Sequence, residues 1–147
     1  MRITPSIVAD LAANPVGGWP PEIQAEMVDN ALNPCVGTRL LSVDKRVRVW
    51  EIRLRPGERI PFHCHVLDYF WTAVTSGRAI SHISDGTVVE ATYAEGQTEH
   101  HIYGSGEFKV HDLQNIGEAE LVFTTVEFLD SANKPLELSE ATLAFPR

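Results

Sequence analysis

Three histidines and their spacing carry the chemistry of this chain. His63 and His65 are separated by one residue, Cys64. On an extended strand, side chains at i and i+2 point to the same face, so the two imidazoles project side by side. Neutral imidazole nitrogen is the commonest protein ligand for zinc, iron, nickel or copper. The pair sits in a frame: Gly57, five residues, His63-x-His65, a short apolar and aromatic run, then Gly77. Downstream, His111 is followed at four residues by Asn115 and can supply a third ligand. Cys64 points away from its two neighbours, which makes it a packing residue rather than a ligand. The plain alternative is two half-exposed strand histidines and a third at a strand end capped by Asn115.

The elements that must position these residues are mostly strands. Thr4 as N-cap and Pro5 at the first helical position predict a helix to about Ala13. A second helix is predicted over Glu22 to Leu32, opened by Pro21, with Ile23, Met27 and Ala31 recurring at helical spacing. From Gly37 the pattern changes to short strands: Thr38–Val43, Arg46–Leu54, Tyr69–Thr75, Arg78–Ser84, Thr87–Tyr93, Thr98–Tyr103, Glu107–Leu113 and Leu121–Leu129. Pro56-Gly57-Glu58 is a turn, and Asp85-Gly86 between two alternating runs is the strongest hairpin signal. Ser131 to Arg147 reads as an extended tail with one helical turn. Such spacing predicts an antiparallel sandwich or barrel.

Composition narrows the function classes. With 147 residues, 44% hydrophobic and 22% charged, the chain suits one domain with a substantial core. A formal charge of -8 argues against nucleic acid or an anionic membrane as partner. No apolar run approaches the roughly 20 residues of a membrane span, and no signal peptide is read. Two cysteines, Cys35 and Cys64, are too few for a disulfide scaffold, so a reducing cytoplasm is the default location. P-loop, GxGxxG, GxSxG and CxxC motifs do not occur.

Gly57, His63, His65 and Gly77 fall in register with the first motif of the cupin superfamily, G-x5-H-x-H-x3/4-E-x6-G, and His111 and Asn115 match the end of its second. The chain resembles that superfamily from about Gly37 to Leu129. Half of the second motif is degenerate, with His100, Gly106 and Phe108 standing at its glycine, proline and glycine. The resemblance implies an all-β, cupin-type double-stranded β-helix (a jelly-roll barrel) over residues 37–130. A helical N-terminal extension (1–36) precedes it and a C-terminal tail (131–147) follows. It further implies that both motifs lie on facing strands inside the barrel and that His63, His65 and His111 bind one divalent metal ion: Fe, Zn, Mn or Ni. The helices are expected to cover an open barrel end or to pack across a homodimer.

The motif glutamate is missing. Phe70 or Tyr69 stands in its place; phenylalanine cannot bind a metal, whereas Tyr69 can bind as a phenolate or hydrogen-bond a metal-bound substrate. A three-histidine site resembles cupin dioxygenases that use Fe(II). With tyrosine or water it suits Lewis-acid chemistry of the lyase or isomerase kind. A site stripped of chemistry would only bind or sense a ligand. An enzyme needs an inward acid or base, and Tyr69, Glu99 and His101 are the candidates, since one of His100 and His101 must face in. His82 reads as structural. Glu51, Asp68 and Gln114 are candidate acceptors for the ligand imidazoles, and Arg53, Arg55 and Arg78 are candidate donors to a substrate carboxylate. Trp50, Phe62, Phe70, Trp71, Phe108 and Phe123 are expected to build core and pocket wall around a small-molecule ligand. The leading expectation is a metalloenzyme acting on a carboxylate- or carbonyl-bearing substrate; the alternatives are a non-catalytic binding cupin and a metal-free structural barrel.

Overall fold

In the computed structural model, residues 4–144 are described, with side chains from Ile7 onward; the Thr4 cap and the ring of Pro5 lie outside the described side chains. The described residues form three helices and nine strands. Helices α1 (Thr4–Ala13) and α2 (Pro21–Asp29) precede β1 (Arg39–Val43), β2 (Val47–Leu54), β3 (Arg59–His65) and β4 (Tyr69–Ala73). Then come β5 (Gly77–His82), β6 (Val88–Tyr93), β7 (Thr98–His101), β8 (Lys109–Asn115), β9 (Leu121–Phe128) and α3 (Glu140–Leu143). Two antiparallel sheets face each other, ordered β1-β2-β9-β4-β7 and β3-β8-β5-β6. Only β1–β2 and the Asp85-Gly86 hairpin, β5–β6, join strands of one sheet; every other connection crosses between sheets, the jelly-roll pattern.

Two motif glycines have separate physical reasons. Gly57 takes φ +84° in the turn before β3, a conformation that disfavours any side chain. At Gly77 a Cβ would lie 2.8 Å from Leu121 Cδ1, so the position is needed for close packing of β5 on β9.

One irregularity aims the histidines. Ile60 pairs with Leu113 and His63 with His111, so Pro61 and Phe62 together oppose Asp112. This β-bulge inserts one residue and reverses the alternation. Ile60 belongs to the inner core with Leu113 and Phe123, and three residues later His63 again faces inward. Proline is tolerated here because a bulge needs no ladder N–H.

Phe62 and Cys64 therefore point outward, where α1 and α2 lie. Ile7, Leu11, Met27 and Ala31 pack with Phe62, Cys64 and Val110 in one buried cluster. Each large apolar side chain so buried contributes roughly 1.5–3 kcal/mol. The helices thus cover the back of the four-stranded sheet, not an open barrel end. α2 ends three residues before the predicted Leu32 because Asn30 and Asn33 turn their amides to Phe62 O, at 3.2 and 3.0 Å, while Cys64 N donates to Asn33 O at 2.8 Å. These bonds satisfy the free edge of β3. Glu26 adds a charged clamp: it pairs with Arg59 at 2.5 Å, and Arg59 Nε donates to the buried Asp112 at 2.8 Å. His82 completes the group, its backbone N donating to Asp112 at 2.5 Å and its ring standing edge-on to Trp19. That is the structural role read from its position.

Candidate metal centre

The strand order places both motifs on paired strands of one sheet, rather than on opposite sheets. His63 and His65 on β3 and His111 on β8 bring three ring nitrogens within 4.8 Å of one another. His63 and His65 are 1% and 3% exposed. Burial holds His63 down to about pKa 4; His65 and His111 lie well below the ordinary histidine value, through burial and then the charges of their neighbours. All three are neutral at pH 7, the state that ligates metal.

Their tautomers follow from the partners. His63 Nδ1 lies 2.8 Å from Pro61 O, a pure acceptor, so Nδ1 carries the proton and Nε2 keeps a lone pair. Ser81 Oγ donates to Asp112 O at 2.5 Å, so it can only accept from His111 Nδ1, 3.2 Å away, and His111 Nε2 is also a lone pair. His65 Nε2 lies 3.1 Å from that atom, while its buried Nδ1 has no partner. At this distance a neutral His65 Nε2–H donates to the His111 lone pair, and a divalent ion held by the three nitrogens would displace that proton. The donor set fits a metal ion.

The predicted acceptors Glu51, Asp68 and Gln114 do not serve these rings. Glu51 receives Arg53 on the surface, Asp68 Oδ1 accepts from Tyr103 N, and Gln114 donates to Gly57 O. Asn115 does not cap His111 either. Fully buried, it donates to Leu54 O and Ala119 O, both at 2.9 Å, and so ties two turns together.

The histidines line a cavity of about 250 Å³ between the sheets. Of the two residues at the glutamate position, Phe70 faces outward against His100 and Phe128. Its expected place in core or pocket wall is thereby corrected. Tyr69 faces inward, its ring stacked on His65 at 4.1 Å and 15° and on His101 at 4.7 Å and 8°. Its hydroxyl is turned toward Tyr103, and burial pushes its pKa well above the ordinary tyrosine value. That disfavours a phenolate ligand. Cross-strand pairing of Tyr69 with His101 and of Trp71 with Glu99 puts both β7 candidates on the inner face, and His100 on the outer one. His101 Nε2 is buried without a partner, and burial lowers its pKa. Glu99 stands exposed at the rim, accepting from Gln97 at 3.3 Å. Cys64 is packed under the helices with its thiol pushed up to about 12, so it is no ligand.

Trp71, Tyr93 and Phe123 form the apolar wall, each edge-on to the other two at 4.9–5.3 Å. Trp50 and Phe62 lie in separate buried clusters and Phe108 packs beside the helices. The predicted arginines are absent from this lining. Arg53 pairs with Glu51 and Glu120, Arg78 pairs with Glu90, and Arg55 is exposed. The cavity's basic side chain is Lys109, which faces in with His111 because it lies two residues before it on β8. That i, i+2 relation was the available signal, and it was missed.

Among solved structures, a cupin domain of Bordetella pertussis superposes with TM-score 0.55 at 25% identity, over 66% of this chain and 95% of that one. This chain belongs to the cupin superfamily. A Bacillus halodurans protein matches this cupin with TM-score 0.50 at 17% identity, covering 83% of this chain and 91% of its own. A double-stranded β-helix domain of Klebsiella pneumoniae gives TM-score 0.49 at 22% identity, covering 68% and 72%. No protein-family model matches the cupin's sequence, and no curated protein matches it. Among its described residues, no helix is long and apolar enough to cross a membrane.

Proposed function

We propose that this cupin is a small-molecule metalloenzyme of the lyase or isomerase kind, moving a proton on a carboxylate- or carbonyl-bearing substrate. His63, His65 and His111 would hold one divalent ion. When bound, that ion would act as a Lewis acid on a substrate oxygen. The observation that carries the reading is His101: an inward imidazole, neutral at pH 7, whose buried Nε2 has no partner within the protein. Such an atom is free to take a substrate proton. Tyr69, stacked between His65 and His101, keeps the base in line with the ligand set, and Glu99 at the rim is placed to pass the proton to solvent. The missing glutamate leaves the ligand set neutral. The unpaired cysteines support a reducing cytoplasm as the location.

The test joins metal analysis to proton exchange. The parent protein is expected to carry near-stoichiometric metal, lost in His63→Ala and His111→Ala and kept in His101→Gln. In deuterium oxide the parent should exchange α-protons of some member of a panel of 2-oxo and 2-hydroxy acids, and His101→Gln should not. A parent that takes up no ion on titration would refute the metalloenzyme. Iron with substrate-dependent oxygen uptake would favour the dioxygenase instead, and metal with tight binding but no turnover would favour a sensor.

A further inference from the structure

Lys109 is the basic residue of the cavity and has no direct ion pair; the charges of Asp85 and Glu99 reach it only from beyond contact. Its backbone pairs with His65 and its side chain shares the inner face with His111. Among the described residues, no carboxylate lies within 4.0 Å of its ammonium and no side-chain hydrogen bond holds it, although it is only partly exposed. Every arginine with an ion pair, by contrast, has it outside the cavity. An ammonium withdrawn from water without a partner is costly, and its donors are left for something else to satisfy. The neighbouring ligand histidines bring no negative charge, since all three are neutral. Glu99 remains at the exposed rim, engaged by Gln97. Across the cavity stands the apolar wall of Trp71, Tyr93 and Phe123, with Ile52 and Leu113 beside it. The site therefore has a cationic pole and an apolar pole.

We propose that Lys109 is the specificity-determining residue of the cavity, holding the carboxylate of an amphipathic acid whose apolar body lies against Trp71, Tyr93 and Phe123. This rests on reading the cavity as a small-molecule site and names its substrate class. It does not depend on the metal.

The experiment titrates 3-phenylpropionate and its uncharged amide, 3-phenylpropanamide, by calorimetry into the parent, Lys109→Met and Lys109→Arg, each as purified and after chelation. The parent should bind the acid more tightly than the amide by roughly tenfold to a hundredfold, the range of one charge-assisted hydrogen bond. Lys109→Met should erase that preference and leave amide binding intact, while Lys109→Arg should keep it. Preference that survives Lys109→Met overturns the assignment; if it also vanishes on chelation, the metal holds the anion and the metalloenzyme reading stands alone. Absence of binding by either compound to a parent with full metal overturns the inference while leaving the metal site in place. A preference that depends on Lys109 in a protein unable to take up metal would sustain the inference and sink the metalloenzyme.

Discussion

Ser81 Oγ lies 3.2 Å from His111 Nδ1 and gives its own proton to Asp112 O, 2.5 Å away. With its one hydrogen committed, Ser81 serves His111 only as an acceptor, and His111 must present its Nε2 lone pair to the cavity. Ser81→Ala should lower metal affinity by roughly tenfold to a hundredfold, the usual cost of losing such an outer partner. Competition against a chromogenic chelator reads this directly. Unchanged affinity would mean that the strand alone orients the ring.

Acidification should destabilise the metal-free protein. His63 has a folded pKa of about 4 against 6.5 in an unfolded chain, and His65 and His111 shift the same way. Between these values the unfolded state binds more protons, so stability is full above pH 6.5 and is lost as pH falls toward 4. Each histidine contributes up to about 1.4 kcal/mol per pH unit. Urea unfolding in chelator at pH 7.5, 6.5 and 5.5 should show a falling midpoint, with a shallower fall in His63→Gln. A flat profile would mean that the imidazoles are hydrated.

Glu127 should work in the opposite sense. It is 2% exposed, accepts from Trp50 Nε1 at 2.8 Å, and has its pKa raised by burial to about 7. Its folded state holds a proton that the unfolded state releases above about 4.5, so stability falls as pH rises through 7. Glu127→Gln keeps the acceptor for Trp50 and removes the buried charge. It should stabilise the protein by on the order of 2 kcal/mol at pH 8 and leave it unchanged at pH 5, checked by urea unfolding. Equal destabilisation at both values would show the carboxylate ionised and matched to Arg48.

The elements with strong local signals were legible in the sequence. Strand alternation, the Asp85-Gly86 turn and the helical spacing of Ile23 and Met27 each reflect a periodicity that survives folding. The placement of the three histidines together was legible too, because His63 and His65 share one strand and the motif names His111. What could not be read depends on contacts across strands. The acceptor for His111 is Ser81, thirty residues away on β5, and the acceptor for His63 is a backbone carbonyl. Arginine was favoured for an anion because its fork suits carboxylates, yet strand parity sends Arg53 and Arg78 outward and Lys109 inward. Asn115 looked like a partner of its neighbour and instead bonds carbonyls at Leu54 and Ala119, which only the fold brings near.

The bulge at Pro61 and Phe62 makes β3 behave like a reading frame. Straightening the bulge at constant length would keep every downstream residue on the strand but exchange its face. Cys64 would then look into the cavity and His63 and His65 into the greasy interface with the helices. The metal centre would vanish without the loss of a single ligand. Removing one residue together with the bulge would instead leave His63 two residues after Ile60 and still facing inward. Residue count and bulge are therefore matched: a homologue one residue shorter here needs no bulge to bind metal, and one of this length cannot bind without it.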